Sequence, residues 1–343
     1  MYESFYNLTK NPFRLNSDPD FFFTSASHSR ALDYLRYGVA EAEGFIVITG
    51  LPGMGKTMLV KALCEELYDQ DIVVAQLVTT QVDRDDIIRL VAGGFGLSHY
   101  GLTKAALLNA LENYFISKIR KGKRVLLVVD EAHYLSPQSI EELRLLMNLE
   151  DQGRQLFQCF LLGQEQLKST LQLAELEQAR QRVIAAYDLK PLNAQETQQY
   201  VEFRLGKAGW SGTPEFLSQA FKKIFQYSEG VPRKINLVCN RALAFGYLDE
   251  LKTINEKVIE LVIKELNEEL FAGNSTPKST HSNVINFDRA VEARLRRLES
   301  KVDDLKDRLR KERRLLRQVL LHMEVQSGEQ SNDNYQPKDD SSD

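Results

Sequence analysis

The sequence predicts an α/β fold: a parallel sheet covered on both faces by helices, then a smaller all-helical unit and a C-terminal heptad helix. Three observations carry this. The runs Phe45–Ile48, Ile72–Val74, Val125–Val129 and, but for Gln158, Phe157–Leu162 are continuously apolar instead of alternating, as buried parallel strands are. Each is followed by a polar segment at helical spacing, the alternation that builds a sheet between two helical layers. From about Leu192 the alternation stops and the pattern becomes helical.

Composition bounds the answer. At 343 residues the chain has room for two folded units plus appendages. Its 43% hydrophobic and 27% charged residues sit near globular averages and exclude a collagenous or low-complexity protein. Lys plus Arg (44) against Asp plus Glu (48) gives a net charge of -4, which supplies no global basic field for nucleic acid or anionic lipid. Cys64, Cys159 and Cys239 are odd in number and widely spaced, so neither a disulfide framework nor a zinc site is indicated. No secretory leader pattern opens the sequence, and no apolar run reaches the ~18 residues that span a bilayer, so a cytoplasmic protein without a transmembrane segment is expected.

The elements follow in order. Residues 1–44 read as a polar and aromatic N-terminal wrap, with Leu32, Leu35 and Val39 on a helical stretch. With residues 45–190 they make up the first unit. Asn193, with Glu196 three residues on, has the spacing of an N-cap and its reciprocal partner, opening a helical unit over 191–270. A Gly/Ser/Thr/Asn-rich linker is expected over 271–287. Val291, Leu295, Leu298, Val302, Leu305, Leu309, Leu316, Val319 and Met323 then mark a heptad seam within 288–325. A partner coiled coil and a helix folded back on the body both fit that seam, the coiled coil being preferred. Residues 326–343 read as a disordered acidic tail.

The strongest motif is Gly50-Leu51-Pro52-Gly53-Met54-Gly55-Lys56-Thr57, which fits G-x-x-x-x-G-K-[ST] between a strand and a helix beginning near Met58. Its glycines let backbone N–H groups curl around phosphate oxygens, Lys56 adds a point charge, and Thr57 is placed to ligate Mg2+ beside a bound ATP. The strand Val125–Val129 ends in Asp130-Glu131-Ala132-His133. Asp130 suits the magnesium shell, and Glu131 suits the base that polarises an attacking water. His133 either contacts the acidic pair or packs without function. Gln164 ends another apolar strand, where its amide can orient that water. Arg180 and Arg182 are candidates for an arginine finger reaching a neighbouring subunit. Arg233 follows Gly230-Val231-Pro232 at a helix start, where a cation is misplaced unless it faces an anion.

These motifs, with Met1-Tyr2-Glu3-Ser4-Phe5-Tyr6, Asn11-Pro12-Phe13, Phe21-Phe22-Phe23 and His28, resemble general secretion pathway protein A over about residues 1–270. The closer likeness is to the branch encoded at exosortase and exopolysaccharide loci. The resemblance implies an AAA+ ATPase of the P-loop NTPase class with an αβα domain and a helical lid, related to origin-recognition and transposition ATPases. It implies a homo-oligomer with Arg182 as the finger, Arg233 as the lid sensor, and Pro12 and Phe13 on the adenine side. Partners would be envelope, polysaccharide or secretion-system proteins, held through the coiled coil. A DNA-associated role is the alternative: residues 288–324 hold twelve Lys/Arg against eight Asp/Glu. Those charges are interleaved as on a coiled-coil flank, which disfavours it.

Overall fold

A computed structural model describes residues 2–16, 18–67, 71–78 and 84–271. The linker from 272, the heptad segment and the acidic tail lie outside the described residues.

The first elements are α1 (Tyr2–Phe5), α2 (Ala26–Glu41), β1 (Phe45–Thr49), α3 (Lys56–Glu66), β2 (Ile72–Val78), α4 (Arg84–Gly94) and α5 (Lys104–Ile119). Then come β3 (Arg124–Asp130), α6 (Pro137–Leu146), a hairpin of β4 (Glu150–Asp151) and β5 (Arg154–Gln155), β6 (Gln158–Gly163), α7 (Gln166–Leu171), α8 (Glu177–Gln181) and β7 (Val183–Asp188). The helical unit holds α9 (Ala194–Lys207), β8 (Glu215–Phe216), α10 (Ser218–Ser228), α11 (Pro232–Leu248), β9 (Thr253–Ile254) and α12 (Glu256–Phe271).

The main sheet has the order β2-β3-β6-β1-β7, and every neighbouring pair is parallel. The four apolar runs became β1, β2, β3 and β6. The fifth strand, β7, was not foreseen, nor were the short pairs β4–β5 and β8–β9. β1 and β6 are buried along their whole length. Because strand side chains alternate, Phe45, Val47, Leu127 and Leu161 enter one core beneath α4, α5 and α6. Ile46, Ile48, Val128 and Phe160 enter the opposite core beneath α2 and α3. Each such side chain contributes about 1.5–3 kcal/mol on burial.

A third core fills the helical unit, where Leu205, Ile235, Val238 and Ile259 are fully buried. Here the structure corrects the grouping read from sequence. Tyr2, Tyr6, Leu8 and Phe13 belong to this core and not to the αβα layers. The Tyr6 hydroxyl donates to Leu251 O at 3.0 Å, and its burial raises the phenol pKa to about 12. The reason is area: three aromatic rings have a ready apolar bed on α11, whereas both sheet faces are already covered.

Asn193 and Glu196 form the expected reciprocal cap, with side-chain-to-backbone distances of 2.8 and 3.0 Å. The other Glu196 oxygen accepts from Ala26 N at 3.0 Å, so one carboxylate joins the starts of α9 and α2. Among the described residues no helix is long and apolar enough to cross a membrane.

Candidate functional site

The carboxyl ends of β1, β3 and β6 lie side by side, the edge at which open parallel sheets bind ligands. Residues 50–55 leave β1 and turn into α3, whose first residue is Lys56. Gly53 and Gly55 hold φ of +81° and +91°. In that region an L side chain costs about 1–2 kcal/mol, so the glycines let the chain turn tightly into the helix N-terminus, where anions are favoured.

Three side chains meet beneath this turn. Lys56 is 5% exposed, and its Nζ donates to Gly50 O at 3.0 Å and Leu51 O at 3.1 Å. Burial lowers its pKa below the usual lysine range, while Glu131 and Asp130 oppose the shift. Thr57 Oγ1 donates to Asp130 Oδ2 at 2.6 Å, and Glu131 N donates to Asp130 Oδ1 at 2.9 Å. Asp130 is thus fixed by two elements. Glu131 follows in left-handed backbone at φ +55° and lines the same cavity as Lys56 and Thr57. A non-glycine residue held there costs about 1–3 kcal/mol and is a mark of functional sites.

The cavity measures about 260 Å³ and runs from this cluster towards the helical unit. α11 docks directly on the loop: Arg233 N donates to Gly53 O at 3.2 Å, and a Cβ on Gly53 would lie 2.5 Å from Arg233 Cβ. At its rear, His28 is 3% exposed, with Nε2 at 2.9 Å from Met54 O and Nδ1 at 2.7 Å from Ser25 Oγ. A carbonyl only accepts, so Nε2 carries the hydrogen and Nδ1 accepts from the serine. Burial lowers the imidazole pKa, and this pairing is that of a neutral ring.

The far wall is built by Arg14, Leu15, Phe22, Tyr200 and Arg204. Arg204 is 6% exposed, donates through Nε to Pro12 O and through Nη1 to Tyr200 Oη at 2.9 Å, and lies over the Phe21 ring at 4.8 Å.

Of the residues singled out from sequence, Gly53 to Met58, Glu131 and Arg233 line this one cavity, and Asp130 is bound to its Thr57. Gly50 and Leu51 hold Lys56 through their carbonyls, and Pro52 lies between them and Gly53. Gln164 is joined to His133 instead of facing the cavity. Arg182 is half-buried and donates to Asn148 Oδ1 at 3.1 Å, while Arg180 lies 3.8 Å from Glu177. Pro12 and Phe13 do not themselves line the cavity. Phe13 is 1% exposed within the helical core, where burial favours it more than a half-open cavity edge, and Pro12 presents its carbonyl to Arg204.

Sequence reasoning gave no role to His28, Arg204, Tyr200 or Asn236. A Ser25 N-cap signals a helix start, but nothing local signals that the histidine in its first turn reaches Met54. The donor set also fits the group it would hold. A hydroxyl beside a buried carboxylate offers the hard oxygen ligands magnesium takes, and the glycine loop with a buried ammonium suits a triphosphate.

Fold and site together define a P-loop protein of the AAA type, and residues 39–171 match the family described as "AAA domain". The solved structures share the fold. The ORC2 protein of Aeropyrum pernix superposes with a TM-score of 0.59 at 16% identity, covering 75% of this chain and 71% of that one. Cdc6p from Pyrobaculum aerophilum gives 0.57 at 15% identity, covering 73% and 71%.

Within this class the chain is a relative of General secretion pathway protein A of Aeromonas hydrophila, 35% identical over 248 residues. That match takes in 72% of this chain and 45% of the relative, so the chain spans less than half of that protein's length. An uncharacterized HTH-type transcriptional regulator of Methanocaldococcus jannaschii is 24% identical over 159 residues, 45% of this chain and 38% of that protein.

Proposed function

We propose that this chain binds ATP with Mg2+ and hydrolyses it, as an oligomer serving the assembly or regulation of an envelope secretion or exopolysaccharide system. The observation that carries the hydrolytic part is the joining of Thr57 to Asp130 at 2.6 Å with Lys56 and Glu131 on the same cavity. Thr57 and Asp130 would hold magnesium, which when bound neutralises phosphate charge. Lys56 adds a buried cation at the phosphates, worth more there than in water. Glu131 accepts the proton of the attacking water. Arg233 brings a further cation from the helical unit, and Arg182, at the end of α8, is the candidate to reach a neighbouring subunit's site.

The envelope role is supported by the similarity to General secretion pathway protein A; the exopolysaccharide branch rests on the sequence motifs.

Phosphate release measured with Mg2+ and with EDTA tests the reaction. Glu131→Gln is expected to keep nucleotide binding and lose turnover by about 10²–10⁴-fold. A wild type whose rate equals that of Glu131→Gln would leave a nucleotide-binding scaffold as the better account.

A further inference from the structure

His133 has no part in the reaction as described, yet its side chain is 6% exposed and lies between Glu131, which does, and Gln164 at the end of β6. Nδ1 is 3.4 Å from Glu131 Oε2 and 3.4 Å from the backbone N of Gln164. Nε2 is 3.0 Å from the Gln164 side-chain amide. The Tyr134 ring lies beside the imidazole, with centroids 4.1 Å apart. A backbone N–H only donates, so Nδ1 accepts from Gln164 N; in the neutral ring Nε2 then carries the hydrogen, and the Gln164 amide, whose Nε2 lies at the 3.0 Å contact, accepts it when turned through 180° to present Oε1. The imidazole therefore binds the end of β6 by both of its nitrogens and stands against the Glu131 carboxylate at the end of β3.

The backbone is shaped to allow this. A Cβ on Gly163 would lie 3.1 Å from His133 N and 3.0 Å from Leu167 Cδ2. A side chain there would press β6 away from the turn that carries His133. Glu131, in left-handed backbone, starts that turn and sends its carboxylate back towards the ring.

We propose that His133 is a positioning residue: it ties the end of β6, through Gln164, to the Glu131 turn, so that the carboxylate lining the cavity is held in place from the neighbouring strand. This deepens the hydrolytic reading and rests on it. Misplacement of a reacting group by about 1 Å costs on the order of 10²-fold in rate. His133→Ala should thus lower kcat about 10- to 100-fold while KM for ATP stays within about twofold.

The test measures four quantities on the full chain: turnover, affinity for a fluorescent ATP analogue, melting temperature, and hydrogen exchange at the Gln164 backbone amide. His133→Ala, Gln164→Ala and the double variant are compared, with His133→Asn as the conservative variant that keeps an acceptor. The proposal expects nucleotide affinity and melting temperature to hold, the two single losses to be non-additive, faster exchange at Gln164 N in His133→Ala, and partial recovery of both rate and protection in His133→Asn. It is overturned if kcat is unchanged in His133→Ala, if the single losses multiply independently, if affinity falls as far as kcat, or if Gln164 exchange is unmoved. Failure of the hydrolytic reading would look different: Glu131→Gln would match wild type in turnover, while the exchange coupling between His133 and Gln164 would persist.

Discussion

Gly230 is the position at which a single methyl group should do most damage. Its φ is +73°, and a Cβ there would stand 1.8 Å from Leu192 O and 2.8 Å from Leu192 C, a contact with backbone that no rotamer change relieves. The same glycine accepts from Leu192 N at 3.0 Å, so the residues opening the helical unit are clasped to the loop that starts α11. For Gly230→Ala, left-handed backbone costs about 1–2 kcal/mol. Relieving the overlap costs about 1–3 kcal/mol, and disturbing the Leu192 hydrogen bond about 1 kcal/mol. Together these give about 3–6 kcal/mol, which for a folded body of this size lowers Tm by roughly 5–11 °C. Gly122 is the control: its φ is +76°, with nothing within 4 Å of an added Cβ, so Gly122→Ala carries the backbone cost alone. Thermal melts of both variants separate strain from overlap. Arg233 sits three residues on and bonds Gly53, so Gly230→Ala should also weaken nucleotide binding, whereas Gly122→Ala should not. Equal melting temperatures for the two variants would refute the reasoning.

Arg204 is a buried cation held by carbonyls and a phenol, so Arg204→Ala should destabilise by about 3–5 kcal/mol and raise protease sensitivity of residues 2–14, read by limited digestion. Burial disfavours the Asp188 carboxylate, but hydrogen bonds from Lys190, Lys168 and Thr49 outweigh this and lower its pKa from 3.8 to about 2. The stability it contributes is therefore present above about pH 4 and lost as pH falls towards 2. Asp188→Asn should melt below wild type near neutrality by less than about 1 kcal/mol, the partners being partly exposed, and the gap should close on acidification. If Arg182 acts on a neighbouring subunit, the rate per protomer should rise with protein concentration in wild type and stay flat in Arg182→Ala.

The nucleotide end of the site was legible because its signals are local. Lys56, Thr57, Asp130 and Glu131 lie within short motifs whose strand context is equally short. β7 was not legible for a related reason. Val183-Ile184-Ala185-Ala186-Tyr187-Asp188 has two alanines at its centre, forms an edge strand only partly buried, and follows directly on a helical turn, so its pattern matched neither template. The other wall of the cavity rests on contacts that no window of sequence spans. Arg204 meets Pro12 across 192 positions, and Tyr2 meets Asn240 across 238. Phe13 was read by residue type near a motif, but a large ring is placed by where the deepest apolar bed lies.

The N-terminal segment has a consequence for how the cavity opens. Tyr2, Tyr6 and Phe13 lie in the helical core, and Arg204 of α9 holds the carbonyls of Pro12 and Arg14. Arg14 and Leu15 are therefore carried by the helical unit even though they precede the sheet in sequence. Arg233, against Gly53 of the glycine loop, is carried by the same unit on α11. Two connections to the αβα layers are the start of α2, where Lys190 N donates to Ser27 Oγ at 2.8 Å and Glu196 receives Ala26 N, and the bond from Arg233 N to Gly53 O. A displacement of the helical unit would move Arg233 and the Arg14 wall together, changing the two ends of the cavity in one motion. Truncation of residues 2–14 should then weaken affinity for ADP, not merely for the γ-phosphate, because it removes Arg14 from the wall opposite the glycine loop. Equal ADP affinity in the truncated and full chains would separate the two ends and show that the N-terminal segment takes no part in holding the nucleotide.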